Sequence, residues 1–217
     1  MFGAPGAPVV QQGPEASAVP VSGMLAKATA PSGRYTGTVA AYYKFQGYGF
    51  ITLDQKDVVD NDKCFVYWKN LKSDDRYPTL ARGLQVEFGV SEDTKRGKKV
   101  FAATDVSLPG GGTISLQKEA DSQKTFVGSQ EVRYTGKLKF FIPKRGYGYI
   151  LIDDGMRPDG EEVPTEIRVE VAEINAGGGQ PNYMKDVPVE FGIWKTRRGI
   201  CKAYNVTQPG GVPFSTS

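Results

Sequence analysis

The sequence predicts an all-β protein made of two small antiparallel barrels or sandwiches in tandem, and three observations carry that prediction. The element Gln46-Gly47-Tyr48-Gly49-Phe50-Ile51 returns about one hundred residues later as Arg145-Gly146-Tyr147-Gly148-Tyr149-Ile150. The run Arg34-Tyr35-Thr36-Gly37 returns unchanged as Arg133-Tyr134-Thr135-Gly136, which divides the 217 residues into two units. Apolar residues alternate with polar ones in short runs, and no segment holds a helical period of useful length.

Taken in order, residues 1–33 are rich in Gly, Ala, Pro, Val and Ser and nearly uncharged, which predicts a disordered arm. Residues 34–108 form the first unit. Its strands are expected at Arg34 to Val39, across Tyr48 to Ile51, at Cys64 to Trp68, at Gly83 to Val90 and at Val100 to Val106, with polar turns between them. Five short strands in about 75 residues fit a small barrel or sandwich. Residues 109–132 open with Pro109-Gly110-Gly111-Gly112 and read as a flexible linker, with room for a short helix between Leu116 and Lys124. Residues 133–211 form the second unit, in which Val189 to Ile193 answers Val86 to Val90. A Pro-Gly-Gly follows the last strand of each unit, and residues 212–217 read as an unstructured tail.

Composition narrows the function. The sequence is 39% hydrophobic and 24% charged, as in soluble globular proteins, and no apolar run approaches the roughly 20 residues of a membrane span. No secretory signal is visible in residues 1–33, and Lys27 is the only basic residue before Arg34. Cys64 and Cys201 fall in different units without metal spacing, so thiols in a reducing, cytoplasmic setting are expected, with nucleus or organelle left open. Histidine is absent, which removes His-dependent triads and the common zinc sites, and no other catalytic constellation stands out. We therefore expect neither an enzyme nor a cofactor nor a metal. Each unit carries 12 basic and 10 acidic residues within a net charge of +3, enough for nucleic acid only if the positive charge is gathered on one face.

The repeated glycine-aromatic element supplies the chemistry. Successive side chains of a strand point to opposite faces, so Tyr48 and Phe50 emerge together, as do Tyr147 and Tyr149. Such rings either belong to a core or stand bare as a platform for unpaired bases, whose π-faces stack without regard to sequence. The basic stretches Lys95 to Lys99 and Trp194 to Arg198 are ordinary surface charge or phosphate holders. Asp153, Asp154, Asp159, Glu161 and Glu162 read as a solvated loop, and Gly110 to Gly112 and Gly177 to Gly179 lack the Lys-Ser/Thr of a phosphate loop.

Gly37 to Ile51 resembles the opening of a cold-shock domain, and Ala203 to Gly211 is similar to the last strand of Y-box-type cold-shock domains. The resemblance covers roughly residues 34–108 and again 133–211. It implies two tandem five-stranded OB-fold barrels that bind single-stranded RNA, or single-stranded DNA, on strands two and three. The glycine-aromatic element is similar to the first RNP motif of the family and Phe65-Val66-Tyr67-Trp68 to its second.

Carried over, the resemblance implies base stacking on Tyr48, Phe50, Phe65, Tyr67 and Trp68, with Tyr42 beside the face, Tyr77 in a neighbouring loop and Lys44 on phosphate. In this first unit Ala41 replaces the usual Trp, Ala40 and Gln46 replace lysines, and Tyr67 takes a histidine position. In the second unit it implies Lys139, Phe140, Arg145, Tyr147, Tyr149 and Arg168. There the second motif is degenerate, because Arg168 holds the Phe position and Glu170 the His position. The expected function is single-stranded nucleic-acid binding, mainly RNA, in messenger or ribonucleoprotein metabolism. The alternative is a scaffolding subunit of a ribonucleoprotein complex in which the second unit contacts protein.

Overall fold

In a computed structural model, which describes residues 33–95, 98–154 and 163–216, the chain forms two closed five-stranded barrels. The first consists of β1 (Tyr35–Tyr43), β2 (Tyr48–Leu53), β3 (Lys63–Tyr67), β4 (Gln85–Lys95) and β5 (Lys98–Ser107). Its strands lie in the order β1-β2-β3-β5-β4, and β1 pairs with β4 to close the ring. All neighbours are antiparallel except β3 and β5, which meet in parallel at Phe65 and Ala102.

A helix, α1 (Leu116–Ser122), and a two-residue strand, β6 (Thr125–Phe126), lead into the second barrel. That barrel consists of β7 (Tyr134–Ile142), β8 (Tyr147–Ile152), β9 (Glu166–Glu170), β10 (Met184–Lys195) and β11 (Cys201–Thr207). It repeats the order of the first, and β6 adds to the edge of β10. The expected all-β, tandem OB-type architecture is therefore present.

The two barrels repeat each other in their irregularities too. The β1–β2 register slips between Val39 and Ala41, and the β7–β8 register slips between Leu138 and Phe140. Each slip is a bulge that turns the strand and resets which residues face outward. The repeated starts and ends of the units hold each other. Arg34 pairs with Glu87, whose other oxygen accepts from the Gly110 N–H at 2.8 Å. In the second barrel Arg133 donates to the Glu190 and Asn205 carbonyls, and Glu190 accepts from the Gly210 N–H at 2.7 Å. Arginine at the first strand and Pro-Gly-Gly after the last are thus two ends of one clasp.

Val39, Ile51, Cys64, Val66, Val86, Phe88 and Ala103 fill the first interior. Leu138, Phe141, Ile150, Ile167, Val169, Val189, Phe191 and Ala203 fill the second, where Cys201 is also buried. Burial of apolar side chains at about 25 cal/mol per Å² is the main force holding each barrel.

Three expectations need comment. The arm, apart from Gly33, lies outside the described residues. Residues 109–132 are not a flexible joint throughout. Beyond the glycine turn, the Asp75 carboxylate accepts from the Leu116 and Gln117 N–H groups at 3.0 Å each, capping α1 from the first barrel, and β6 pairs with β10. The tail is likewise held down. Phe214 is buried in the second core, its N–H donates to the Asn175 carbonyl at 2.8 Å, and Thr216 bridges to Pro181.

The two barrels also pack on each other. The segment between β3 and β4 carries Arg76, whose guanidinium lies 2.8 Å from Asp121 and 2.6 Å from Glu173. Lys124 closes the square at 2.6 Å from Asp121 and 2.5 Å from Glu173. All four side chains are nearly buried, so each charge depends on its partners.

Candidate nucleic-acid interface

On the first barrel, β2 and β3 set Tyr48 opposite Tyr67 and Phe50 opposite Phe65. The intervening Gly49 and Ile51, with Cys64 and Val66, face inward, so the four rings stand on the outer face. Phe50 is 38% exposed and Tyr67 36%. Tyr48 and Phe65 lie stacked at 5.4 Å between centroids, and Phe50 meets Phe65 edge-on at 6.0 Å. The rings are held by one another and by strand pairing, which keeps them from folding back into the barrel.

The glycines are required by close approach. A Cβ on Gly49 would run into the Ala41 carbonyl and the Tyr42 ring. Gly47 turns the chain at φ +70°, and a Cβ there would sit 2.5 Å from the Trp68 ring. Trp68, half-buried, covers this turn, and its backbone N–H donates to the Gly47 carbonyl at 2.8 Å. The indole also neighbours the Tyr67 ring at 5.9 Å and the Lys69 ammonium at 5.3 Å.

Two predicted positions are corrected. Tyr77 is 1% exposed: its ring is built into the core of the second barrel, and its hydroxyl donates to the Lys44 carbonyl and bonds Gln180. Burial pushes its phenol up to about 12, and no ring face is left for a base. Tyr42 pairs with Gly49 and packs on the core side of β1, where burial raises its phenol well above the ordinary range. The residue on the ring face is Tyr43, 47% exposed and 5.2 Å from Tyr48. The bulge after Val39 resets the alternation and puts Tyr43, rather than Tyr42, on that face. Counting back from Tyr48 across the hairpin is the signal that finds it. Missed were Phe101 and Lys63, which with Phe50, Phe65 and Lys99 of the basic stretch already singled out line a groove at the far end of the platform. Lys99 there pairs with Glu92 at 2.7 Å. Lys44 reaches over the Phe45 ring at 5.1 Å.

The second barrel carries a different face. Phe140, Tyr149 and Tyr147 form an edge-to-face row at 5.7 and 6.0 Å. Arg168 lies over Tyr147 at 4.4 Å. Glu170 does not stand bare, because Lys202 pairs with it at 2.5 Å, and Glu166 takes Lys139 at 2.6 Å. Lys139 is thus a partner of a carboxylate, while Arg145 is exposed at the β7–β8 turn. In the loops, Arg197 and Arg198 are exposed at the tip of the β10–β11 hairpin. Residues 96 and 97, and Asp159, Glu161 and Glu162, lie outside the described residues. Among the described residues, no cluster of three or more His, Cys, Asp or Glu side chains is arranged to hold a metal, and no helix is long and apolar enough to cross a membrane.

Comparison with known proteins places these features. The model of the 'Cold-shock' DNA-binding domain matches residues 35–109. The chain is 40% identical over 68 residues to "Cold shock-like protein" of Aquifex aeolicus (strain VF5), a match covering 30% of this chain and 90% of that protein. It is 38% identical over 79 residues to "Cold shock protein 1" of Arabidopsis thaliana, covering 36% of this chain but only 23% of that longer protein. Among solved structures, "drosophila Unr CSD456" aligns with 82% of this chain and 63% of its own length at 18% identity. The TM-score is 0.27.

Proposed function

We propose, from the premise that this chain belongs to the cold-shock domain family, that its first barrel is the main site for single-stranded nucleic acid and that the preferred strand is RNA. Nucleic-acid binding in general goes with that membership; the RNA preference and a place in cytoplasmic messenger or ribonucleoprotein metabolism are part of the proposal. The single observation that carries it is the outward platform of Tyr48, Phe50, Phe65 and Tyr67, extended by Tyr43. Bases stack on those rings, and Lys44, Lys63 and Lys69 around them attract the phosphate chain, which makes binding tolerant of sequence and weaker as salt rises.

The second barrel is part of the same proposal as a diverged cold-shock domain. Its Val171 N–H donates to the Gly146 carbonyl at 2.9 Å, as that of Trp68 does to Gly47 at 2.8 Å, which supports equivalent motifs. A second reading, in which this barrel contacts a protein, is favoured by the paired charges Glu166–Lys139 and Glu170–Lys202 on the former stacking face.

The test is a titration of the whole chain with short single-stranded RNA and DNA of equal sequence, followed by Trp fluorescence. Tyr48→Ala with Phe50→Ala is expected to weaken binding about tenfold or more, and RNA to bind more tightly than DNA. Unchanged affinity in the double variant would sink the platform, and equal affinities would sink the RNA preference.

A further inference from the structure

The turn glycine of each barrel is covered by an aromatic ring, but the rings come from different places. In the first barrel Trp68 covers Gly47. In the second the residue making the equivalent backbone hydrogen bond is Val171, a buried aliphatic that supplies no ring. The ring over Gly146 is Phe45 of the first barrel: a Cβ on Gly146 would collide with it. The second barrel thus receives from its neighbour the aromatic that its own motif lacks.

This contact joins the two faces. Phe45 remains 40% exposed and carries the Lys44 ammonium above its ring. Two residues before it stands Tyr43, which neighbours Tyr48 of the first platform. Gly146 beneath it is flanked by Arg145 and by Tyr147, on whose ring Arg168 lies. Lys44, Arg145 and Arg168 have no carboxylate partner among the described residues, while Glu170 nearby is already neutralised by Lys202. The Arg76–Asp121–Lys124–Glu173 square and the buried Tyr77 hold the barrels in this register, so the junction is a fixed surface.

We propose that the junction is itself a nucleotide-binding step: one single strand of nucleic acid crosses from the first barrel to the second over Phe45. A base packs against Phe45 and the Arg168–Tyr147 pair, and Lys44 and Arg145 hold the phosphates as the strand crosses. Arginine suits this place because its planar guanidinium stacks on a base and binds phosphate at once. This inference rests on the first-barrel reading and adds a length of strand and a set of contacts to it.

The test uses the full chain and two labelled oligouridylates, one of about 6 nucleotides and one of about 20, the first within and the second beyond the roughly 4 to 16 that a single OB-fold holds. Fluorescence anisotropy is read for the wild type, Phe45→Ala and Arg168→Gln. The latter changes an exposed side chain and leaves the fold intact. The wild type is expected to bind the longer strand more tightly, and each variant to lose about fivefold or more on it while staying within about twofold on the shorter one. Wild-type affinity for both lengths in both variants overturns the crossing and is the result expected if the junction docks a protein. Equal loss on both strands also overturns it, because it puts these residues inside the first site. Failure of the wild type to bind either strand overturns the underlying reading as well, and so is distinguished from failure of the crossing alone.

Discussion

The Arg76 guanidinium donates to a Glu173 carboxylate oxygen at 2.6 Å across the seam between the two barrels, and the same group donates to both oxygens of Asp121 at 2.8 and 3.1 Å. It also donates to the Ala172 carbonyl at 3.1 Å and lies 4.9 Å from the centre of the Tyr204 ring. One arginine from the first barrel therefore ties together α1, the segment after β9 and β11. Burying two cations and two carboxylates is costly in isolation, but removing one member of a satisfied buried set costs more than the set contributes.

Arg76→Ala is accordingly expected to destabilise the chain by about 3 kcal/mol, read from urea denaturation followed by far-ultraviolet circular dichroism. Arg76→Lys is expected to recover little of it, because an ammonium cannot reproduce the planar fork that serves two carboxylates. Wild-type stability in the alanine variant would show that the seam does not couple the barrels.

The same seam predicts an acid limit. Burial alone would raise the Asp121 carboxyl, but hydrogen bonds from Arg76 and Lys124 outweigh it and leave the group below its ordinary value of 3.8. A carboxyl whose folded value is depressed adds stability above its unfolded value and loses it as pH falls through the folded one. Asp75 runs the other way, raised chiefly by burial despite its two helix-capping hydrogen bonds, so its ionised form costs stability at neutral pH. The Asp121 contribution is therefore expected to be constant at neutral pH and to fall away below about pH 4. Urea midpoints measured from pH 7 to pH 3 check this. In Asp121→Asn the decline below pH 4 should be shallower than in the wild type.

How much of this was legible in the sequence follows from where each residue finds its partner. Tyr48, Phe50, Phe65 and Tyr67 were readable because strand alternation is local, and the glycines between them announced close packing. Tyr42, placed beside the face by the resemblance, packs on the core side instead, because a bulge is one extra residue that leaves no mark in composition. Tyr77 and Phe45 were unreadable for a different reason: both complete the second barrel, where they meet Gln180 and Gly146, each roughly 100 residues away along the chain. The order in residues 109–132 was hidden likewise. Its glycines are real turn formers, but α1 is capped by Asp75 and anchored by Arg76, partners that lie in the first barrel.

The difference between the two faces yields a gain-of-function prediction. Ala41 pairs with Phe50 in the register of β1 and β2, and the equivalent pair in the second barrel is Phe140 with Tyr149. There the rings meet at 5.7 Å, so this position accepts a large aromatic opposite the glycine-aromatic strand without disturbing the barrel. In the first barrel alanine leaves Phe50 without a neighbour on that side. Ala41→Trp adds an indole to the platform and, at about 1 to 3 kcal/mol per stacked base, is expected to tighten single-stranded RNA binding at least fivefold. Fluorescence anisotropy with an oligouridylate measures the change, and thermal melting of the variant confirms that the barrel is intact. A folded Ala41→Trp variant with unchanged affinity would mean that bases do not reach the β1 side of Phe50, and would confine the platform to β2 and β3.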